Sequence, residues 1–367
     1  MTVNDKTLEN VYIIDKNGNK RRIKRIYIGV NGKAKKIADN ISTLYKYSET
    51  PTPLSQSRGA LAATSIGNYA LFGGGYDSSS SSVVDAYDTS LVKTTPTPLS
   101  QARQYLAATF VGKYALFGGG YSSSSSGYSD VVDAYDTSLV RTTPTSLSQA
   151  RSVLAATSIG GYALFGGGSG PTDVVDAYDT SLVRTTPTSL SQARGALSAT
   201  SIGNYALFGG GSGPSAVVDA YDTSLVRTTP NSLSQARASL SATSISNYAL
   251  FGGGEANYPF YYSDVVDAYD TSLVRTTPTP LSEGRRYLAA TSIGDYALFC
   301  GGYDSSSSVV DAYDTSLVRT TPTPLSVGRD SLAATSIVNY ALFGGGRPSA
   351  SSYSSAVDAY SVKNILI

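Results

Sequence analysis

Hydrophobic residues along this chain come in short bursts, separated by turn formers, and the bursts repeat. LAATSI (61–66), built from small and β-compatible residues, leads through Gly67-Asn68 into YALF (69–72). Three glycines and a Ser-rich loop follow. VVDAYD (83–88) is next, with side chains alternating between two faces as in a strand. Beyond Thr-Ser lies LVKTT, or LVRTT in later units, and a Pro-Thr-Pro or Pro-Thr-Ser run then breaks the ladder. No segment sustains a 3.6-residue period or carries helix-capping signals. Four short strands per unit are predicted, and an all-β chain.

The unit recurs seven times. YALFGGG begins at Tyr69, Tyr114, Tyr162, Tyr205, Tyr248 and Tyr340, and a variant, YALFCGG, at Tyr296; the spacings run from 43 to 48 residues. VDAYDTSLV follows each glycine run, with a degenerate last copy around Tyr360. An arginine opens each unit: Arg58, Arg103, Arg151, Arg194, Arg237, Arg285 and Arg329. A four-stranded unit of this size cannot bury its own faces, whereas units packed side by side around an axis can.

The order of Arg, small apolar strand, Tyr-hydrophobic-Gly-Gly, loop and Val-x-x-Tyr-Asp resembles the kelch repeat over residues 48–367. The resemblance implies a seven-bladed kelch-type β-propeller over 44–367, preceded by a short N-terminal β-hairpin segment over 1–43. Kelch units usually carry a Trp on the last strand. Here Leu91, Leu139, Leu182, Leu225, Leu273 and Leu317 lie in that region, which lowers blade volume. Aligned on PTPLS, Leu44–Pro53 resembles an extra fourth strand, so the ring is expected to close by joining both ends of the chain in one blade.

The glycine run suits close backbone approach near a propeller's narrow centre. A phosphate cradle would need a following Lys-Ser/Thr and a helix, and neither is present. The repeated arginines and the in-step aspartates Asp85, Asp133, Asp176, Asp219, Asp267, Asp311 and Asp358 do not differ between copies as a catalytic residue would. They are assigned to structural pairing.

Composition narrows function. The chain has no His and a single Cys, Cys300, so imidazole chemistry, thiolate zinc clusters and internal disulfides are excluded. Some kelch proteins are copper oxidases with His ligands, which this chain lacks. No catalytic residue, metal or cofactor is expected. Carboxylates outside the repeat (Glu255, Asp304, Asp330) are scattered over different blades. No transmembrane run or secretory signal is visible, and no membrane insertion is expected. Net charge is +1, against bulk nucleic-acid binding.

Charge is uneven. Residues 1–47 hold 11 Lys/Arg against 4 Asp/Glu. VYIIDKNGNKRRI aligns with IYIGVNGKAKKI, each centred on Asn-Gly, a signal for a two-residue hairpin turn. Two such hairpins are marginal alone and would dock on another copy of the chain, as a homo-oligomer, or on a larger assembly. YIGVNGKAKKI resembles N-terminal modules of Firmicutes phage and prophage proteins, often tail-associated. That implies virion proteins as partners and a virion location, with a bacterial intracellular interaction scaffold or a purely structural decoration protein as alternatives.

Among near-identical repeats, the positions that vary point to function. They are the two residues after each opening arginine, the loop after each glycine run and, varying less, the turn between the first two strands; antiparallel pairing of those strands sets the first two of these on one rim. In kelch adaptor domains the corresponding positions bind ligands. Carried onto this chain, the rim comprises Tyr76, Gln104, Tyr105, Tyr121, Glu255, Arg286, Tyr287, Tyr303, Asp330 and Arg347, with Tyr258, Tyr261 and Tyr262 rising above it. Rigid tyrosines among Ser and Gly resemble antibody-type surfaces and suit a host-surface glycan or protein. The opposing expectation is that Ser78–Ser82, Ser122–Ser126 and Ser305–Ser308 are solvated spacers.

Overall fold

The computed structural model describes residues 44–45, 50–256, 262–304 and 306–362 in full, and the remaining strands (within 2–46 and 363–365) by their backbone. The chain divides into two compact units, Met1–Tyr45 with Ser361–Ile367, and Lys46–Tyr360.

The larger unit is a seven-bladed β-propeller with no helix among the described residues. Its first blade runs Ala62–Ile66, Tyr69–Gly73, Val84–Tyr87 and Lys93–Thr94, paired antiparallel in that order. Register is identical down the repeat, with Ala62 opposite Gly73 here and Ala107 opposite Gly118 in the second blade. The first strand of each blade neighbours that of the next, and Ala333–Ile337 neighbours Ala62–Ile66, so the ring is closed. The seventh sheet takes its fourth strand from Ile41–Lys46, beside Val357–Ile365. This is the expected closure, though the strand begins upstream of Leu44.

Each hydrophobic cluster is shared by two blades. Leu71, Val84 and Ala86 of the first pack with Leu106, Phe117 and Tyr135 of the second. Leu342 and Val357 of the seventh pack with Phe72 and Tyr87 of the first. The first glycine of each run serves this contact: a Cβ on Gly73 would come within 2.7 Å of the Phe117 ring. Cys300 occupies that position in the sixth blade, fully buried, and burial pushes its thiol well above the usual range.

The outer strand is shorter than LVRTT implied, only Arg141–Thr142 in the second blade. The preceding leucines sit instead in a tight turn at φ near +60°. Asp88 organises the first such turn, its Oδ1 accepting the N–H groups of Ser90 and Val92 at 2.8 and 2.9 Å.

Every opening arginine is buried against the aspartate of its own third strand, as in Arg58–Asp85 at 2.7 Å and Arg151–Asp176 at 2.8 Å. The carboxylate also accepts a backbone N–H from the segment entering the blade, Ser148 for Asp176. From the second blade to the sixth, a partly exposed outer-strand arginine lies 2.7–3.7 Å from the same aspartate. The seven VDAY tyrosines are fully buried, and each hydroxyl donates to a backbone carbonyl at 2.6–2.8 Å.

In the N-terminal region Arg25–Val30 pairs with Lys33–Ala38, and the Val30–Lys33 register leaves only Asn31-Gly32 between the strands. In the first hairpin Tyr12–Ile14 pairs with Lys20–Arg22, and the turn expected at Asn17-Gly18 lies outside the described residues. Thr2–Val3 also pairs with Lys6–Thr7.

Two outcomes follow. Asp176→Ala leaves the Arg151 guanidinium buried without its counter-charge and lowers stability by about 3–5 kcal/mol, read from the denaturant midpoint, whereas Arg151→Met with Asp176→Leu costs much less. In alkali, an unfolded chain ionises tyrosine near pH 10. Burial, reinforced by the neighbouring aspartates, raises all seven core phenols above that value. The stability they carry is complete below pH 10 and is lost as pH rises beyond it. Tyrosinate absorbance from these groups should appear together with unfolding, not before it.

Candidate functional site

The glycine-run rim is built outward from the buried arginines. The N–H of each run's third glycine donates to the carbonyl of the next blade's arginine, Gly75 to Arg103 at 2.8 Å and Gly346 to Arg58 at 2.8 Å. The second and third glycines have positive φ, +69° and +111° in the first blade. The chain then turns up to the rim, where the residue after the arginine bridges the residue after the glycines. The pairs Gly59–Tyr76, Gln104–Tyr121, Ala238–Glu255, Arg286–Tyr303 and Asp330–Arg347 are all present. The two variable sets therefore share one rim, as the strand pairing implied.

The second residue after each arginine forms a structure no sequence signal announced. Ala60, Tyr105, Val153, Ala196, Ser239, Tyr287 and Ser331 are all left-handed, with φ of 52–55°. Each N–H donates to the carbonyl of its counterpart in the preceding blade, Tyr105 to Ala60, Val153 to Tyr105, and so on to Ala60 donating to Ser331. Seven hydrogen bonds make a closed wheel at the mouth of the axis. Tyr105 and Tyr287 project from it, 48% and 38% exposed.

Around the wheel the unlike side chains gather. The Arg286 guanidinium is paired with Glu255 and lies 4.9 Å from the centroid of Tyr287 and 5.4 Å from those of Tyr262 and Tyr303, within cation–π range. Tyr262 and Tyr303 meet edge-on at 5.8 Å, as do Tyr76 and Tyr353 at 5.7 Å and Tyr121 and Tyr128 at 6.2 Å. Burial raises the Tyr105 phenol, with Tyr287, Arg347, Asp330 and Tyr76 all close enough to act on it. Gln104 is half-buried beside Tyr121.

Asp330 is engaged within its own blade. It is 1% exposed and occupied by Arg347 at 3.3 Å and by the Ser331 hydroxyl at 2.7 Å. Tyr258 and Tyr261 lie outside the described residues. Tyr128 and Tyr353, variable but not assigned to the rim from sequence, belong to it. The serine loops of the first two blades are ordered: Tyr76–Asp77 pairs with Ser79–Ser80, Tyr121–Ser122 with Gly127–Tyr128, and the Ser80 and Ser123 hydroxyls meet at 2.8 Å.

The axis itself is lined by the Ala-Thr-Ser stretches of the first strands, around a space of about 220 Å³. Phe110, 47% exposed, stands where six blades have serine. Among the described residues no three His, Cys, Asp or Glu are grouped to hold a metal ion, and no helix is long and apolar enough to cross a membrane.

No family model matches the chain, and no curated protein matches it. Solved structures do match, among them one titled "Structure of YjhT". It is 12% identical with a TM-score of 0.56, and the match covers 85% of this chain and 99% of that one. At that identity the likeness shows the propeller fold alone.

The wheel gives a stability test. Val153 is the β-branched member of the wheel, and branching at Cβ is poorly tolerated at positive φ. Val153→Asn should raise the melting temperature, a gain of about 1 kcal/mol, because Asn enters the left-handed region readily.

Proposed function

We propose that this chain is a non-enzymatic binding and adhesion module, a kelch-type propeller carried on a phage virion at its tail or surface. The rim contacts a host-surface glycan or protein, and the basic N-terminal segment joins virion proteins. One observation carries the recognition part. On seven near-identical blades, the two most variable sets of positions meet on one rim and there supply mainly tyrosine, arginine and serine, the composition of adaptable binding surfaces.

The non-catalytic reading is supported by the acids of this rim: Glu255 is held by Arg286 and Asp330 by Arg347, leaving no facing pair of unengaged carboxylates between them. The attachment reading rests on the charge of residues 1–47 and on the YIGVNGKAKKI resemblance.

The test is binding of the full chain to whole Firmicutes cells and to immobilised host glycans. Tyr105→Ala and Tyr287→Ala should each weaken binding by about 1–2 kcal/mol without moving the melting temperature, since Ala60 and Ala196 hold the same wheel position at nearly the same φ in other blades. No binding to any cell or glycan would leave a structural decoration role ahead. Equal loss of folding would make these tyrosines part of the core.

A further inference from the structure

The loops above the glycine runs are unequal. From the first blade to the seventh they span 76–82, 121–130, 169–173, 212–216, 255–264, 303–308 and 347–355. The two shortest, five residues each, are neighbours. Both begin with the bond that every blade makes here, Ser169 and Ser212 donating to the carbonyls of Ser152 and Gly195 at 2.7 Å, so it is their length that keeps them low. Gly170 and Gly213 then turn at φ of +85° and +77°; a Cβ on Gly213 would meet nothing within 4 Å, and one on Gly170 would touch only the edge of the Tyr128 ring, at 3.6 Å. The wheel residues at this side are Val153 and Ala196. No aromatic of the rim is contributed by these two blades. Tyr76, Tyr105, Tyr128, Tyr262, Tyr287, Tyr303 and Tyr353, with Arg286 and Arg347, all come from the other five.

Resting on the recognition reading above, we propose that the rim is a cleft walled on one side. It receives the end of an oligosaccharide against Tyr105, Tyr287 and Tyr303, and lets the following sugars leave across the third and fourth blades. Two observations favour a sugar chain over a peptide. The wheel consumes its seven N–H and seven C=O groups internally, so the floor offers no strand edge to an extended peptide. The exposed large hydrophobic residues of this rim are tyrosines, whose ring faces suit the C–H face of a pyranose while their hydroxyls and the loop serines suit its hydroxyl groups. The charge of Arg286 is already balanced by Glu255, which suits a neutral, hydroxyl-bearing ligand.

The experiment is binding of the full chain to an array of immobilised mono- to hexasaccharides, beside binding to whole Firmicutes cells. Affinity should rise with sugar number, by about tenfold between one and three units (roughly 1.4 kcal/mol). Ala196→Tyr should remove that gain and keep monosaccharide binding. The variant is compatible with the fold, because Tyr105 and Tyr287 occupy the same wheel position at φ of 53° and 55° against 52° for Ala196. Val153→Tyr provides a second blocking variant, and the length series on the unaltered chain decides by itself if either variant lowers the melting temperature. Length-independent binding, or a gain that survives both variants, overturns the one-sided cleft. Cell binding with no sugar bound on the array overturns the oligosaccharide and leaves recognition standing. Binding to neither sinks both.

Discussion

The buried arginine that opens each blade is the interaction on which the rest depends. Its guanidinium neutralises an aspartate on the third strand of its own sheet, and its carbonyl accepts the N–H of the preceding blade's third glycine. One residue thus ties the inner part of a blade, the segment entering it and the adjacent blade. A charge this deep is tolerated only because the carboxylate and the strand carbonyls meet it, as the Phe165 carbonyl does for Arg151 at 3.1 Å. The two residues that follow the arginine emerge at the rim with their backbone already positioned.

That arrangement separates scaffold from surface. The scaffold repeats with little change: the Phe–Tyr edge contact inside a blade measures 6.0 Å in the first six blades and 5.8 Å in the seventh. The rim is free to differ because its backbone is held by the wheel and by the glycine-to-arginine bonds, not by its side chains. Replacing Ala60 by Tyr105 or Ser239 by Tyr287 in the repeat therefore alters what the mouth presents and leaves the ring as it is. Asymmetry enters through loop length, and the low third and fourth blades face a side crowded with tyrosine.

Much of this was legible along the chain. Strand identities, the seven-fold count, the closing strand near residue 44 and the meeting of post-arginine with post-glycine residues follow from periodicity and antiparallel pairing. Other features were not. The leucines of DTSLV read as strand residues because they are apolar and β-compatible, yet the Asp88 side chain caps a turn that forces them to positive φ. Asp330 stood out along the chain only as an acid that varies between repeats, and its pairing with Arg347 of the same blade comes from the fold. The serine runs left two readings open along the chain, binding loops or solvated spacers; that Ser80 and Ser123 of two such runs meet across blades comes from the fold.

By itself the sequence determined the class of fold: small amphipathic strands, punctuated every few residues by Gly, Pro and Asn, can bury their faces only against copies of themselves, and their number sets the number of blades. It also determined which residues are unlike their counterparts. Only the tertiary structure decided how the rim's backbone is joined from blade to blade and which side chains touch there. The wheel of Ala60, Tyr105, Val153, Ala196, Ser239, Tyr287 and Ser331 joins positions some 45 residues apart. The last bond links the first blade to the seventh, a closure that exists only once the whole ring has formed.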